Sequence, residues 1–230
     1  MSGDLRFSTA TSKHAEEIEE FMHTKFGTRE PITVSLNPTK SDLQDFFHDL
    51  THSGYSNEKY STVVHQGDRL VAICLCSVSC HDYSKDVTSS EVENMDDNYA
   101  NEIAKGPYKQ HKANKLIAYV SALERGLRRL PGHSTNYFKI DVIAVAIEAK
   151  GRGLGQELTQ RSINIARSEG CDWVIAAATA AASQTLFSRM GFETYYELPY
   201  SNFRENGVVV FNNLYDGCLS GKLMALRLHD

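Results

Sequence analysis

The stretch that most limits how this chain can fold runs from residue 140 to residue 166. An apolar run, 140–147, is followed by Lys150-Gly151-Arg152-Gly153-Leu154-Gly155, and then by apolar positions at helical spacing (Leu154, Leu158, Ile165, Ala166). That order is strand, glycine-rich turn, helix. Glycines let the main chain approach a ligand closely, and the first helical turn carries N–H groups with no partner inside the helix. Together they form an anion site suited to a pyrophosphate. Two common phosphate loops do not match. A Walker A loop ends in Gly-Lys-Ser/Thr, whereas Gly155 is followed by Gln156-Glu157. The dinucleotide fingerprint needs G-x-G-x-x-G, and the third spacing is wrong here.

At 230 residues the chain has room for one well-cored domain, read as 1–230 with a helical insertion at about 81–132. A net charge of −5 argues against nucleic acid or an anionic membrane as the main partner. No apolar run approaches the roughly 20 residues of a membrane span, and no signal-peptide core opens the chain. Five cysteines without a disulfide framework suit a reducing, cytoplasmic setting. Cys74, Cys76 and Cys80 with His81 invite a metal reading. However, Cys74 and Cys76 alternate in a strand pattern and no second ligand pair accompanies them. They are read as buried reduced thiols, and no metal is expected.

Along the chain, residues 5–8 read as a first strand. Ser12 starts a helix carrying Ile18, Phe21, Met22 and Phe26, which Gly27 ends. Arg29-Glu30-Pro31 opens an irregular connection, and Leu43, Phe46, Phe47 and Leu50 mark a second helix beginning near Thr39 or Ser41. Segments 61–65 and 69–79 form a hairpin across Gln66-Gly67-Asp68. Residues 81–97 read as a polar surface excursion. A long helix then carries Leu116, Val120, Leu123, Leu127 and Leu130, with Arg125, Arg128 and Arg129 in its last turn and Pro131-Gly132 beyond it. That basic end is either a solvated helix terminus or a phosphate contact. Strands follow at 137–147, 173–178, 193–198, 208–211 and 222–228, with a short helix at 183–190. The class is α+β, a mixed and mostly antiparallel central sheet flanked by helices.

Met190-Gly191-Phe192-Glu193, downstream of the glycine loop, narrows the reading. Lys150-x-x-Gly153-x-Gly155 resembles the Arg/Gln-x-x-Gly-x-Gly/Ala loop of the GNAT superfamily, and the Met-Gly-Phe turn resembles the end of its fourth helix. Arg29-Glu30-Pro31-Ile32, the long helix before the fourth strand, and the tail segments 208–211 and 223–225 resemble the insect-type arylalkylamine N-acetyltransferase branch. The resemblance implies a GNAT fold splayed between the fourth and fifth strands. It also implies acetyl-coenzyme A as acyl donor and a small primary amine, an arylalkylamine first of all, as acceptor. Polyamines or protein amines are the nearest alternatives, and a non-catalytic acyl-coenzyme A sensor is another.

The same resemblance assigns residues. Glu30 maps onto the branch's general base, although from the residues alone it reads as an ordinary surface glutamate beside a turn. Asp141 on the fourth strand is the rival base. Lys139, where other branches carry an acid, cannot be one. Thr179 and Ser183 map onto two branch serines on the proton path, and Ser183 is alternatively the cap of the short helix. Phe187 stands where many relatives have a tyrosine acid. The pantetheine arm is expected along Ile143, Ala144 and Val145. The pyrophosphate is expected on Lys150, Gly151, Arg152, Gly153, Leu154 and Gly155. The alanine run 176–182 either opens room for a larger substrate or permits tight packing.

Overall fold

The computed structural model describes residues 4–82, 97–131 and 134–228. Most of the surface excursion expected at 81–97 therefore lies outside the described residues. Strand β1 (Leu5–Thr9) leads into a 3-10 turn capped by Thr11 rather than starting at Ser12, and then into α1 (Ala15–Phe21). The helix widens into a π-helical turn, Met22–Phe26, before Gly27. A Cβ on Gly27 would come within 2.7 Å of the Phe47 ring, so this glycine serves a close approach as well as a stop.

The segment expected to be irregular after Arg29 is a short helix, α2 (Pro31–Ser35). Proline is well placed at the first helical position, because its missing N–H would have no helical partner there. Glu30 supplies the cap. Helix α3 (Lys40–Ser56) starts as expected at Thr39, whose hydroxyl accepts from Asp42 N while the Asp42 carboxylate accepts from Thr39 N at 2.7 Å. The hairpin follows as β2 (Thr62–Gln66) and β3 (Arg69–Asp82).

Helices α4 (Ala100–Ala104) and α5 (His111–Glu124) lie between β3 and β4 (Ser134–Val145). Helix α5 ends earlier than its apolar stripe suggests, giving way to a 3-10 turn at Arg125–Arg129. Gly126 there passes so close to the sheet that a Cβ would sit 2.3 Å from that of Tyr196, a contact the periodicity cannot reveal. Helix α6 (Leu154–Ser168), β5 (Trp173–Ala178), α7 (Ala181–Arg189) and β6 (Glu193–Pro199) follow. The strand expected at 208–211 is shorter: β8 (Val208–Val209) pairs only with β7 (Arg204–Glu205) in a small separate hairpin. β9 (Ser220–Arg227) closes the main sheet.

Seven strands run in the order β1-β2-β3-β4-β5-β9-β6. The β4–β5 pair is parallel and its neighbours are antiparallel. Strand alternation along β3 sends its apolar residues into two different core clusters, beside a smaller third around Trp173 and Ile175. Ile73 and Leu75 belong with Phe47, Tyr119 and Phe211, alongside residues of α1, α3 and α5. Ala72, Cys74 and Cys76 belong with Leu158, Val174 and Phe187, alongside residues of α6 and α7. Each fully buried large apolar side chain contributes about 2 kcal/mol to holding the layers together. Cys74 and Cys76 are free, buried thiols as expected, with Ser162 Oγ 3.4 Å from Cys74 Sγ. No helix among the described residues is long and apolar enough to cross a membrane.

Candidate active site

The parallel ladder between β4 and β5 is short. It runs from Tyr137↔Trp173 to Ile140↔Ala176 and stops, although β4 continues to Val145 and β5 to Ala178. At that point β4 carries a bulge: Cys76 faces Ile140 and Leu75 faces Val142, so Asp141 is the extra residue. A bulge bends its strand and increases its twist, which turns β4 away from β5. Ile143, Ala144 and Val145 pair with β3 on one side and, among the described residues, have no strand partner on the other. The expected splay between fourth and fifth strands is present.

The glycine loop lies at the end of the splayed strand, after a 3-10 turn at Ile147–Ala149. Gly151 (φ +76°) and Gly153 (φ +74°) are left-handed, and nothing lies within 4 Å of where their Cβ atoms would be. Glycine is therefore needed here for its backbone freedom rather than for a close approach to the described residues. The first helical bond of α6 runs from Glu157 N to Gly153 O (3.0 Å), and no side chain caps the helix. The N–H groups of Leu154, Gly155 and Gln156 thus point out of the first turn.

A groove of about 560 Å³ lies between this loop and α7. Val145, Lys150, Gly151, Gly153, Leu154 and Gly155 line it on the loop side, and Ala181, Ala182, Thr185 and Arg189 on the α7 side. Ile143 and Ala144 sit upstream on β4, and Arg152 is exposed outside the lining. Arg189 was not singled out from the sequence. Its position just before Met190-Gly191 is the signal that marks it, since the last turn of α7 faces the loop. Two cations, a helix N-terminus and two unobstructed glycines suit a pyrophosphate. The basic residues ending α5 do not join the groove. Arg125 meets Glu102 at 3.5 Å, and Arg129 lies 4.7 Å over the Tyr196 ring.

At the splayed end of β5 the structure brings two of the sequence-predicted residues together. Thr179 follows directly on β5, and its hydroxyl donates to Glu30 Oε1 at 2.9 Å, across 149 residues of sequence. Glu30 also accepts from Thr33 N (2.7 Å), Thr33 Oγ1 (2.6 Å) and, at 3.4 Å, Ile32 N. Desolvation lifts its carboxyl above the ordinary value of 4.5, against the pull of the bonds from Thr33, Thr179 and Ile32. Tyr200 donates to the Thr179 carbonyl at 2.6 Å and so fixes that residue from below. No motif points to Tyr200; only the return of β6 places it there.

Ser183 stands one turn into α7. Its hydroxyl donates to Ala180 O (2.9 Å) and accepts from Ala180 N (3.3 Å). It is therefore the third residue of the helix rather than its cap; the cap position is Ala180. Phe187 is a core residue, its ring 5.0 Å from that of Phe192 beyond the Gly191 turn. Of the alanine run, Ala176 and Ala178 pack in the core while Ala181 and Ala182 line the groove. Asp141 is engaged elsewhere: Lys139 Nζ lies 3.0 Å from Oδ1, and Ser77 donates to Oδ2 at 2.7 Å. Lys139 also meets Glu124 at 2.5 Å. Burial opposes its charge, but the two carboxylates outweigh that and raise its pKa.

Comparison with known proteins agrees with this fold. Arylalkylamine N-acetyltransferase 2 from Aedes aegypti is similar in fold, with a TM-score of 0.76 at 18% identity over 99% of this chain and 100% of that one. Mosquito arylalkylamine N-acetyltransferase like 5b gives 0.74 at 17% identity, covering 98% and 100%. The Drosophila melanogaster polyamine N-acetyltransferase that forms N-acetylagmatine gives 0.71 at 18%, also covering 98% and 100%. The acetyltransferase (GNAT) family model matches residues 72–192, over half of the 230 residues and spanning the splay, the glycine loop and the Met-Gly-Phe turn; the chain belongs to the GNAT acetyltransferase family.

Proposed function

We propose that the protein transfers the acetyl group of acetyl-coenzyme A to a small primary amine, with arylalkylamines as the leading acceptor class. The Glu30–Thr179 hydrogen bond carries the reading. The reading is supported by a carboxylate of raised proton affinity bonded to Thr179, which follows β5 and stands two residues before the groove-lining Ala181. An amine is mostly protonated at neutral pH and must lose a proton before it can attack. Glu30 accepts that proton, directly or through a water.

Acetyl-coenzyme A, when bound, supplies the acyl group as a thioester. Lys150, Arg189 and the loop Gly151-Arg152-Gly153-Leu154-Gly155 hold the pyrophosphate, and the main chain of Ile143, Ala144 and Val145 takes the pantetheine arm. Thr179 lies on the same proton path as Glu30: its hydroxyl gives its proton to the departing sulfur and takes one from the protonated Glu30, with Ser183 four residues further along the chain. Free coenzyme A is acidic enough as a thiol for neither hydroxyl to be indispensable. Attack is direct, without an acyl-enzyme, and proximity supplies much of the rate.

The test is thiol release from acetyl-coenzyme A across arylalkylamines, polyamines and peptide amines. The reading expects the highest kcat/KM with an arylalkylamine. A polyamine or peptide preference replaces the acceptor class. Binding of acetyl-coenzyme A without release by any amine replaces catalysis with sensing.

A further inference from the structure

Helix α7 begins without a cap of its own. Its cap position, Ala180, has the extended backbone of a helix cap (φ −125°, ψ 147°) but no side-chain oxygen to offer. The acceptor comes instead from the loop between β8 and β9. Asp216 Oδ2 accepts from Ala181 N at 2.9 Å, and its other oxygen accepts from Cys218 N at 3.1 Å, which fixes the carboxylate within its own loop. The preceding residue, Tyr215, donates its phenol hydrogen to the Arg29 carbonyl.

Two adjacent residues of one loop therefore hold both sides of the Glu30–Thr179 pair. Tyr215 grips the residue just before Glu30, and Asp216 grips the residue two after Thr179. A 2.9 Å bond between side chains so distant in sequence persists only while both backbones keep their places. We infer that Tyr215-Asp216 is a positioning clamp, with Asp216 capping α7 from outside the helix and thereby holding Thr179 against Glu30. The inference rests on the proposed roles of Glu30 and Thr179.

The experiment compares D216A, Y215F and D216A combined with A180S, which restores a cap within the helix itself. E30Q runs in parallel. Hydrogen exchange reports the first turn of α7 whether or not the protein turns over. D216A should lose protection there and lose about fivefold in kcat, with the KM values for amine and acetyl-coenzyme A little changed. Adding A180S should recover most of both. Y215F removes one hydroxyl without threatening the fold, and should lower kcat two- to fivefold or so.

Unchanged protection and kcat in D216A overturn the clamp. So does a loss confined to KM for diamines that A180S does not restore, because Asp216 would then be an anionic contact for the acceptor's second cation. Full activity in E30Q sinks the proposed chemistry instead, while the exchange data still decide whether Asp216 caps α7.

Discussion

Glu30 caps a helix and is the proposed base, and Glu30→Gln separates the two roles. As the cap of α2 it accepts from Thr33 N, Thr33 Oγ1 and Ile32 N; as the proposed base it meets Thr179. Alanine would remove all four bonds together, so lost activity in E30A is ambiguous. Glutamine keeps one oxygen, which can stay on the two Thr33 donors, and turns its NH2 toward Thr179, whose hydroxyl can rotate to accept; only the long Ile32 N bond, made to the replaced oxygen, is given up. The helix cap survives and the basic lone pair is gone.

Stability should change little. The raised carboxyl pKa means that the folded state disfavours the ionised form. That cost is absent below the ordinary value of 4.5, grows as pH rises from there to the folded pKa, and stays constant above it. Removing it at neutral pH offsets part of the loss of charge-assisted bonds. E30Q should therefore melt within about 1 kcal/mol of wild type, whereas E30A, with its cap gone, should lose about 2 kcal/mol.

Activity should fall far more. Positioned general bases contribute about 10²–10⁴-fold, so kcat/KM for the amine should drop by at least about a hundredfold in E30Q. The wild-type profile of kcat/KM should show an acidic limb whose midpoint lies above 4.5, and E30Q should lose that limb. The assay is thiol release against pH, with the melting curve as a control. If E30Q stays within about threefold of wild type and keeps the limb, Glu30 is a cap and nothing more.

Three further outcomes are expected. R189A and K150A should each raise KM for acetyl-coenzyme A several-fold with little change in kcat, the effect shrinking at high salt; unchanged titrations would remove these side chains from the anion groove. D141N should leave the acidic limb of the pH profile in place, because Asp141 is already held by Lys139 and Ser77; loss of the limb would move the base to β4. G221A should destabilise by about 2 kcal/mol in a thermal melt, since its Cβ would lie 2.6 Å from Tyr119 Oη, which accepts from Gly221 N and donates to Leu198 O; a neutral change would mean that the sheet and α5 can part without cost.

Local chemistry made much of this protein legible in its sequence. The glycine loop declares itself because glycine adopts the left-handed turns at 151 and 153 without steric cost, and the Gly191 turn and the Thr39 cap are equally local signals. Strand alternation sorted Cys74 and Cys76 into the core. Where neighbours in space decide, the sequence is silent or misleading. Helix α5 gives way to a 3-10 turn at Arg125, in which Gly126 comes close to Tyr196, and the strand expected at 208–211 shrinks to two residues of a small hairpin. Sequence alone determined the order of strand, anion loop and helix, since each depends on residues within a few positions of one another. Only the tertiary structure decided that Glu30 meets Thr179, that Tyr200 and Asp216 hold that meeting in place, and that Arg189 faces the loop. The hydrogen bonds among those contacts join residues 21, 35 and 149 positions apart, and no local pattern encodes a distance across the fold.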